Sequence, residues 1–178
     1  LKEKVKGHRF YDQFLYHPDE VPFETWKQVP KVFTEFRKKC EKQAKVRALV
    51  DITGYLQGAP EVEQTTIPTL TELGLEEFAK DSRSAFPWDG GETAVWERLD
   101  HYFWQTKKLQ YYKKTRNGLI GIDYSSKFSA WLAIGCISAR QIYWEVARFE
   151  KEIKKNQDTY WLIFELVWRD FFKYVSLK

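Results

Sequence analysis

The stretch from Tyr160 to Phe172 reads Tyr-Trp-Leu-Ile-Phe-Glu-Leu-Val-Trp-Arg-Asp-Phe-Phe, and no other feature of the chain limits its fold so tightly. It contains no proline or glycine, and it follows Asp158-Thr159, where a helix is predicted to begin. Its apolar residues cover nearly the whole circumference of that helix. A helix without a polar face must be enclosed by other elements, so the fold is predicted to be mainly α, an assembly of helices around this one. Glu165 shares a face with Trp168 at i, i+3 and with Arg169 at i, i+4. Two readings stay open for these residues. Glu165 and Arg169 form an ion pair internal to the helix, or they line a polar cavity where a carboxylate bonds a base edge, a flat Trp packs on it and a guanidinium lies close by.

Helical spacing recurs upstream. Val95, Leu99, Tyr102 and Phe103 mark a helix running to about Thr106. A short helix is expected after Ser129, stopped by Gly135. Ser138-Ala139-Arg140-Gln141 forms a capping box for a helix whose inner face is Ile142, Val146, Phe149 and Ile153. Closer to the N-terminus, Pro30 suits a first helical turn. Val32, Phe36 and Cys40 then face inward, and Arg37, Lys38, Lys39, Lys42 and Lys45 form a solvated outer face. Between about 46 and 90 the periodicity fades. Gly54, Gly58-Ala59-Pro60, Pro68, Gly74, Pro87 and Gly90-Gly91 divide that segment, which reads as a linker with one or two helical turns over Thr71 to Phe78.

Composition removes several function classes. With only Cys40 and Cys136, the chain has neither a disulfide framework nor a CxxC metal site, which points to an intracellular, reducing compartment. His8, His17 and His101 lack partners at ligand spacing, so no metal site is predicted. No apolar run has membrane-spanning length. Gly-rich phosphate loops, GxSxG and HExxH are absent, and nothing suggests a hydrolytic triad. The chain starts at Leu1 and has no Met, which reads as a processed, trimmed or partial product. Eight Trp, ten Tyr and thirteen Phe fit either a ring-rich core or a site for a planar ligand. The net charge of +4 permits a polyanionic partner without requiring one.

One segment has the chemistry for such a partner. Asp123-Tyr124-Ser125-Ser126-Lys127-Phe128-Ser129-Ala130-Trp131 places hydroxyls and an amine where a helix is predicted to begin. Unpaired N–H groups there, with serine donors and the Lys127 charge, suit a phosphate; alternatively, Ser129 only caps the helix and the others line a turn. Tyr111-Tyr112-Lys113-Lys114-Thr115-Arg116-Asn117-Gly118 precedes it and ends in a turn signal. Tyr112 either touches a ligand or packs in the core.

Taken in order, these pieces resemble the cryptochrome/photolyase family. The match runs through Tyr112 to Gly118, Asp123 to Ala133, Gly135 to Tyr143 and Tyr160 to Asp170. Upstream, Phe10 to Pro18, Val32 to Lys38, Pro68-Thr69-Leu70 and Gly90-Gly91-Glu92 resemble its DASH branch. The resemblance implies an irregular linker plus part of an all-helical, FAD-binding, photolyase-type domain. Residues 1–45 would be the tail of an N-terminal α/β region with one helix. Residues 46–90 would be the interdomain linker, and 91–178 the first part of the FAD-binding domain. It implies that Tyr112, Ser125, Ser126, Lys127, Phe128, Ser129 and Arg169 contact FAD, and that Glu165 and Trp168 face a flipped pyrimidine dimer. It further implies blue-light chemistry, repair of dimers in single-stranded or damaged DNA or photoreception, and an antenna folate in an N-terminal domain. The rest of the photolyase fold, or another protein, would cover the final helix. A chloroplast or another organelle is the implied location, with nucleus or cytoplasm as alternatives. Lys114, Ser126, Ala130 and Ala139 depart from the family's usual Glu, Thr, Pro and Pro. These departures suggest relaxed constraint or divergence. The alternative is a non-catalytic, cryptochrome-derived structural or interaction subunit that has lost FAD, motivated by the apolar final helix that would lie bare in isolation.

Overall fold

A computed structural model of the chain describes residues 7–8, 10–51, 66–77 and 79–178. Among these residues every regular element is helical and there is no strand. The six α-helices are α1 (Phe33–Gln43), α2 (Glu92–Leu99), α3 (Tyr112–Thr115), α4 (Ser129–Ile134), α5 (Ala139–Glu152) and α6 (Gln157–Ser176). Helix α2 runs on into a π-helical turn, Asp100–Gln105, and a 3-10 turn, Lys108–Tyr111, leads into α3.

Helix α6 is the axis of the fold. Asn156 starts it: its side chain accepts the Thr159 N–H, and the Thr159 hydroxyl accepts the Asn156 N–H. The reciprocal cap satisfies donors that the first turn would otherwise leave open. Leu162, Leu166, Val167, Phe171 and Tyr174 are buried against α1, α3 and α5. Phe33 of α1 stacks on Trp168 with centroids 3.5 Å apart and planes 9° apart. That contact sets the rotation of α1. Phe33, Phe36 and Cys40 are buried, and Val32 is 61% exposed, not inward as its spacing suggested. Nor does Pro30 open the helix, since Val32 is its N-cap.

Residues 13–16 lie across α6 as a strap. Asp170, fully buried, accepts the Leu15 N–H at 3.0 Å and the Tyr16 N–H at 2.8 Å. Tyr174 donates its hydroxyl to the Tyr16 carbonyl at 2.6 Å, and Lys173 donates to the Gln13 carbonyl at 3.0 Å. The strap, α1 and the C-terminal helices therefore share one apolar core.

The capping box of α5 forms as its sequence predicts, with Ile142, Val146 and Phe149 buried. Ile153 departs from that face and is 40% exposed, because α5 ends at Glu152. Thr71 and its neighbours make hydrogen-bonded turns without a helix, and Phe78 lies outside the described residues, as do Gly54 and Gly58-Ala59-Pro60.

Candidate functional site

Helices α3, α4 and α6 and the loop before α4 enclose an open cavity of about 760 Å³, within the range of about 300–1,000 Å³ common for ligand pockets. Its lining includes Tyr112 from α3, Ser125 to Ser129 from the loop and the start of α4, and Glu165, Arg169 and Lys173 from α6. These residues come together because Glu165, Leu166, Arg169, Phe172 and Lys173 lie along one stripe of α6, at the spacing that stacks side chains on a helix.

Of the residues singled out from sequence, Tyr112, Ser125, Ser126, Lys127, Phe128, Ser129, Glu165 and Arg169 line this cavity. Trp168 does not. Its ring is held in the stack on Phe33, with Phe172 5.5 Å away on a near-parallel plane. Ser129 is not a cap either: Phe128 holds that position, and α4 has no side-chain cap bond.

The two α6 charges do not pair with each other. Glu165 pairs with Arg116 at 2.7 Å, and Arg169 donates to the carbonyls of Leu132, at 2.9 Å, and Gln13. Both guanidiniums thus serve partners far away in sequence, which a spacing argument confined to one helix could not see. Burial raises the Glu165 carboxyl above its ordinary range, and the Arg116 charge only partly offsets this. Burial holds the Arg169 guanidinium below its usual value, opposed by the Asp170 charge. Lys173 is lowered to about 8 by burial and by the Arg169 cation. Lys127, Arg169 and Lys173 thus meet one carboxylate that already has a partner.

The backbone beneath the serines has an unusual form. Lys127 adopts φ 65°, in the left-handed region, and Phe128 follows at φ −73°, ψ −11°. Alternation between left- and right-handed residues turns successive N–H groups toward one point, a concavity suited to an anion. Gly118 permits the approach of the preceding turn, since a Cβ there would sit 2.9 Å from the Tyr124 Cβ.

One residue that sequence reading missed is Arg98. It is 1% exposed and reaches Asp123 Oδ1 at 2.6 Å and the carbonyls of Ser125, Ser126 and Ile122 at 2.8, 3.2 and 3.2 Å. Its guanidinium also lies 4.5 Å from the Trp88 ring and 4.8 Å from the Tyr102 ring. A signal was present: Val95, Arg98 and Tyr102 share one buried helical face, so the cation there needed partners.

A floor of hydroxyls and cations under a pocket walled by Tyr112, Phe128 and Phe172 belongs to the class of sites that hold a ligand with both anionic and apolar parts. Comparison with known proteins supplies the lineage. Cryptochrome DASH of Danio rerio is 48% identical over 178 residues, 99% of this chain and 34% of that protein. Cryptochrome DASH, chloroplastic/mitochondrial, of Arabidopsis thaliana is 45% identical over 92% of this chain and 28% of its own length. The crystal structure of a Synechocystis cryptochrome superposes with a TM-score of 0.86 at 44% identity, covering 95% of this chain and 35% of that one. No protein-family model matches the chain. The chain belongs to the cryptochrome/photolyase family, on its DASH branch, and spans about a third of the length of the relatives it matches.

Proposed function

We propose that the chain forms part of a FAD-dependent blue-light flavoprotein, with its cavity receiving the ribityl and pyrophosphate portion of FAD. The observation that carries this reading is the cavity floor, where Ser125, Ser126, Ser129, Lys127, Arg169 and Lys173 gather around the left-handed turn at Lys127. Serine hydroxyls donate to phosphate oxygens, and the cations offset their charge. Arg169 already has two nitrogens in use on carbonyls, so it offers a fixed charge rather than a free fork. Tyr112 is buried and fixes the wall between phosphates and core. Helix α4 has six residues, so the side chains and the turn, rather than a long helix dipole, supply most of the attraction.

FAD, when bound, supplies light absorption and one-electron transfer. The chain's residues bind, orient and shield. Glu165, paired with Arg116 and with its carboxyl raised, would bond the edge of a flipped base, as in repair of cyclobutane pyrimidine dimers in single-stranded DNA. Trp168 takes a lesion-facing role only if its ring leaves Phe33. The rest of a photolyase fold, carrying any antenna folate, completes the pocket, and an organelle is the favoured location given the named location of the plant relatives. No helix among the described residues is long and apolar enough to cross a membrane.

Flavin fluorescence during a titration of the chain with FAD tests this. Saturable quenching is expected, with affinity about tenfold weaker in Lys127→Ala, the effect of one lost charge-assisted contact. A chain that binds no FAD would favour instead a structural subunit that has lost the cofactor. Light-dependent loss of dimers from single-stranded DNA then separates repair from photoreception.

A further inference from the structure

We propose that Arg98 is a positioning residue that sets the anion-binding form of the loop before α4, although it does not touch the cavity. This inference rests on the flavin reading for its consequence, but not for its geometry.

Each peptide unit is planar and trans. The carbonyl of one residue and the N–H of the next point in opposite directions. Arg98 draws in the carbonyls of Ile122, Ser125 and Ser126 from one side. The N–H groups of Asp123, Ser126 and Lys127 are therefore turned the other way, and Ser126 and Lys127 line the cavity while Arg98 does not. Neither the Ser126 nor the Lys127 N–H finds an acceptor among the described residues. Arg98 thus orders the loop by its carbonyls and leaves its donors free for a ligand.

The same cation locks the turn in place. Asp123 bridges Arg98, at 2.6 Å, and His101, at 3.2 Å. Burial alone would raise the Asp123 carboxyl, but hydrogen bonds and charge from Arg98 and His101 outweigh it and hold it below its ordinary value. Trp88 and Tyr102 flank the guanidinium, so it has little freedom to swing away. Only a planar five-donor group can serve one carboxylate and three carbonyls together; an ammonium carries the charge without the fork. Lys127 is left with a strained, positive φ that isolated residues other than glycine rarely adopt, which means its surroundings must hold it there.

The test compares Arg98→Lys with Asp123→Asn in the full chain, by hydrogen exchange and by FAD titration. Arg98→Lys is expected to speed exchange of the Leu132 amide, which donates to the Phe128 carbonyl at the end of the loop, at least about tenfold while α5 and α6 stay protected, and to weaken FAD binding about tenfold. Asp123→Asn keeps the three carbonyl contacts and should change FAD affinity less than about threefold. Equal loss of protection across α2, α5 and α6 in Arg98→Lys would show a merely structural role and overturn the proposal. Unchanged exchange at the Leu132 amide would overturn it too. If the parent chain binds no FAD, the flavin reading falls, and the exchange pattern still decides the role of Arg98.

Discussion

Replacing Asp170 with Ala should remove two of the bonds that fasten the strap to α6, and the structure sets the size of the effect. Asp170 is fully buried and is the acceptor for two backbone N–H groups, those of Leu15 and Tyr16. Leu15 is itself 0% exposed and Tyr16 5% exposed, so water cannot easily replace the lost acceptor. A buried donor left unpaired costs about 1–3 kcal/mol. Two of them, less the relief of no longer burying a carboxyl, give about 3 kcal/mol, a large share of the roughly 5–15 kcal/mol that holds a domain together. With a urea slope of about 2 kcal/mol per molar, the midpoint should fall by about 1.5 M at pH 6. Asp170→Asn keeps one oxygen as an acceptor and should lose about half as much. Hydrogen exchange supplies the local readout, since the Leu15 and Tyr16 amides should exchange faster in the Ala variant than those of α5. A midpoint within about 0.3 M of the parent, with both amides still protected, would refute the reasoning.

The same carboxyl makes stability depend on pH. Burial raises it from 3.8 to about 7, against the opposing bonds from Tyr16 and Leu15 and the charges of Arg169 and Lys173. Its raised value means that the folded chain holds a proton that the unfolded chain releases. Its contribution is therefore fully present below about pH 4 and is lost as pH rises through about 7. Urea midpoints should fall between pH 5.5 and 7.5 in the parent, and Asp170→Asn should flatten that slope. Tyr16, Cys40 and Tyr174 stay neutral across this window, since burial pushes all of them upward. Phe33→Ala removes the ring that stacks on Trp168 and also meets Phe164 and Phe171. It should cost about 3–5 kcal/mol by denaturation and shift the Trp fluorescence, while Phe33→Leu costs less.

Much of the fold was legible because the signals were local. The capping box at Ser138, the stop at Gly135 and the spacing of Val95, Leu99, Tyr102 and Phe103 each depend on residues within a turn or two of one another. Helix α1 shows where local reading stops. Val32 and Phe33 are adjacent apolar residues, and spacing alone fits Phe36 and Cys40 to Val32. The choice is made by Trp168, on a helix over a hundred residues away. The strap was equally unreadable, since Leu15 and Asp170 are 155 residues apart.

Within the cavity, the contiguous run from Ser125 to Ser129 was readable because its chemistry is concentrated in one segment. Arg116 and Lys173 were not, because each acts through a distant partner, Glu165 or Gln13; for Arg98 the buried helical face was a local signal, but its loop-carbonyl partners are distant. The polar residues of α6 show why that helix can be apolar nearly all round and still specify its surroundings. Glu165 takes Arg116, Arg169 takes Gln13 and Leu132, Asp170 takes Leu15 and Tyr16, and Lys173 takes Gln13. Apolar area drives the enclosure but does not choose which segment supplies it, because burial is non-directional. These four charged residues make that choice, through directional bonds to groups at set places in the chain. Arg169 and Lys173 also line the cavity. The two cations that hold the strap at Gln13 are therefore also two of the cations that line the cavity.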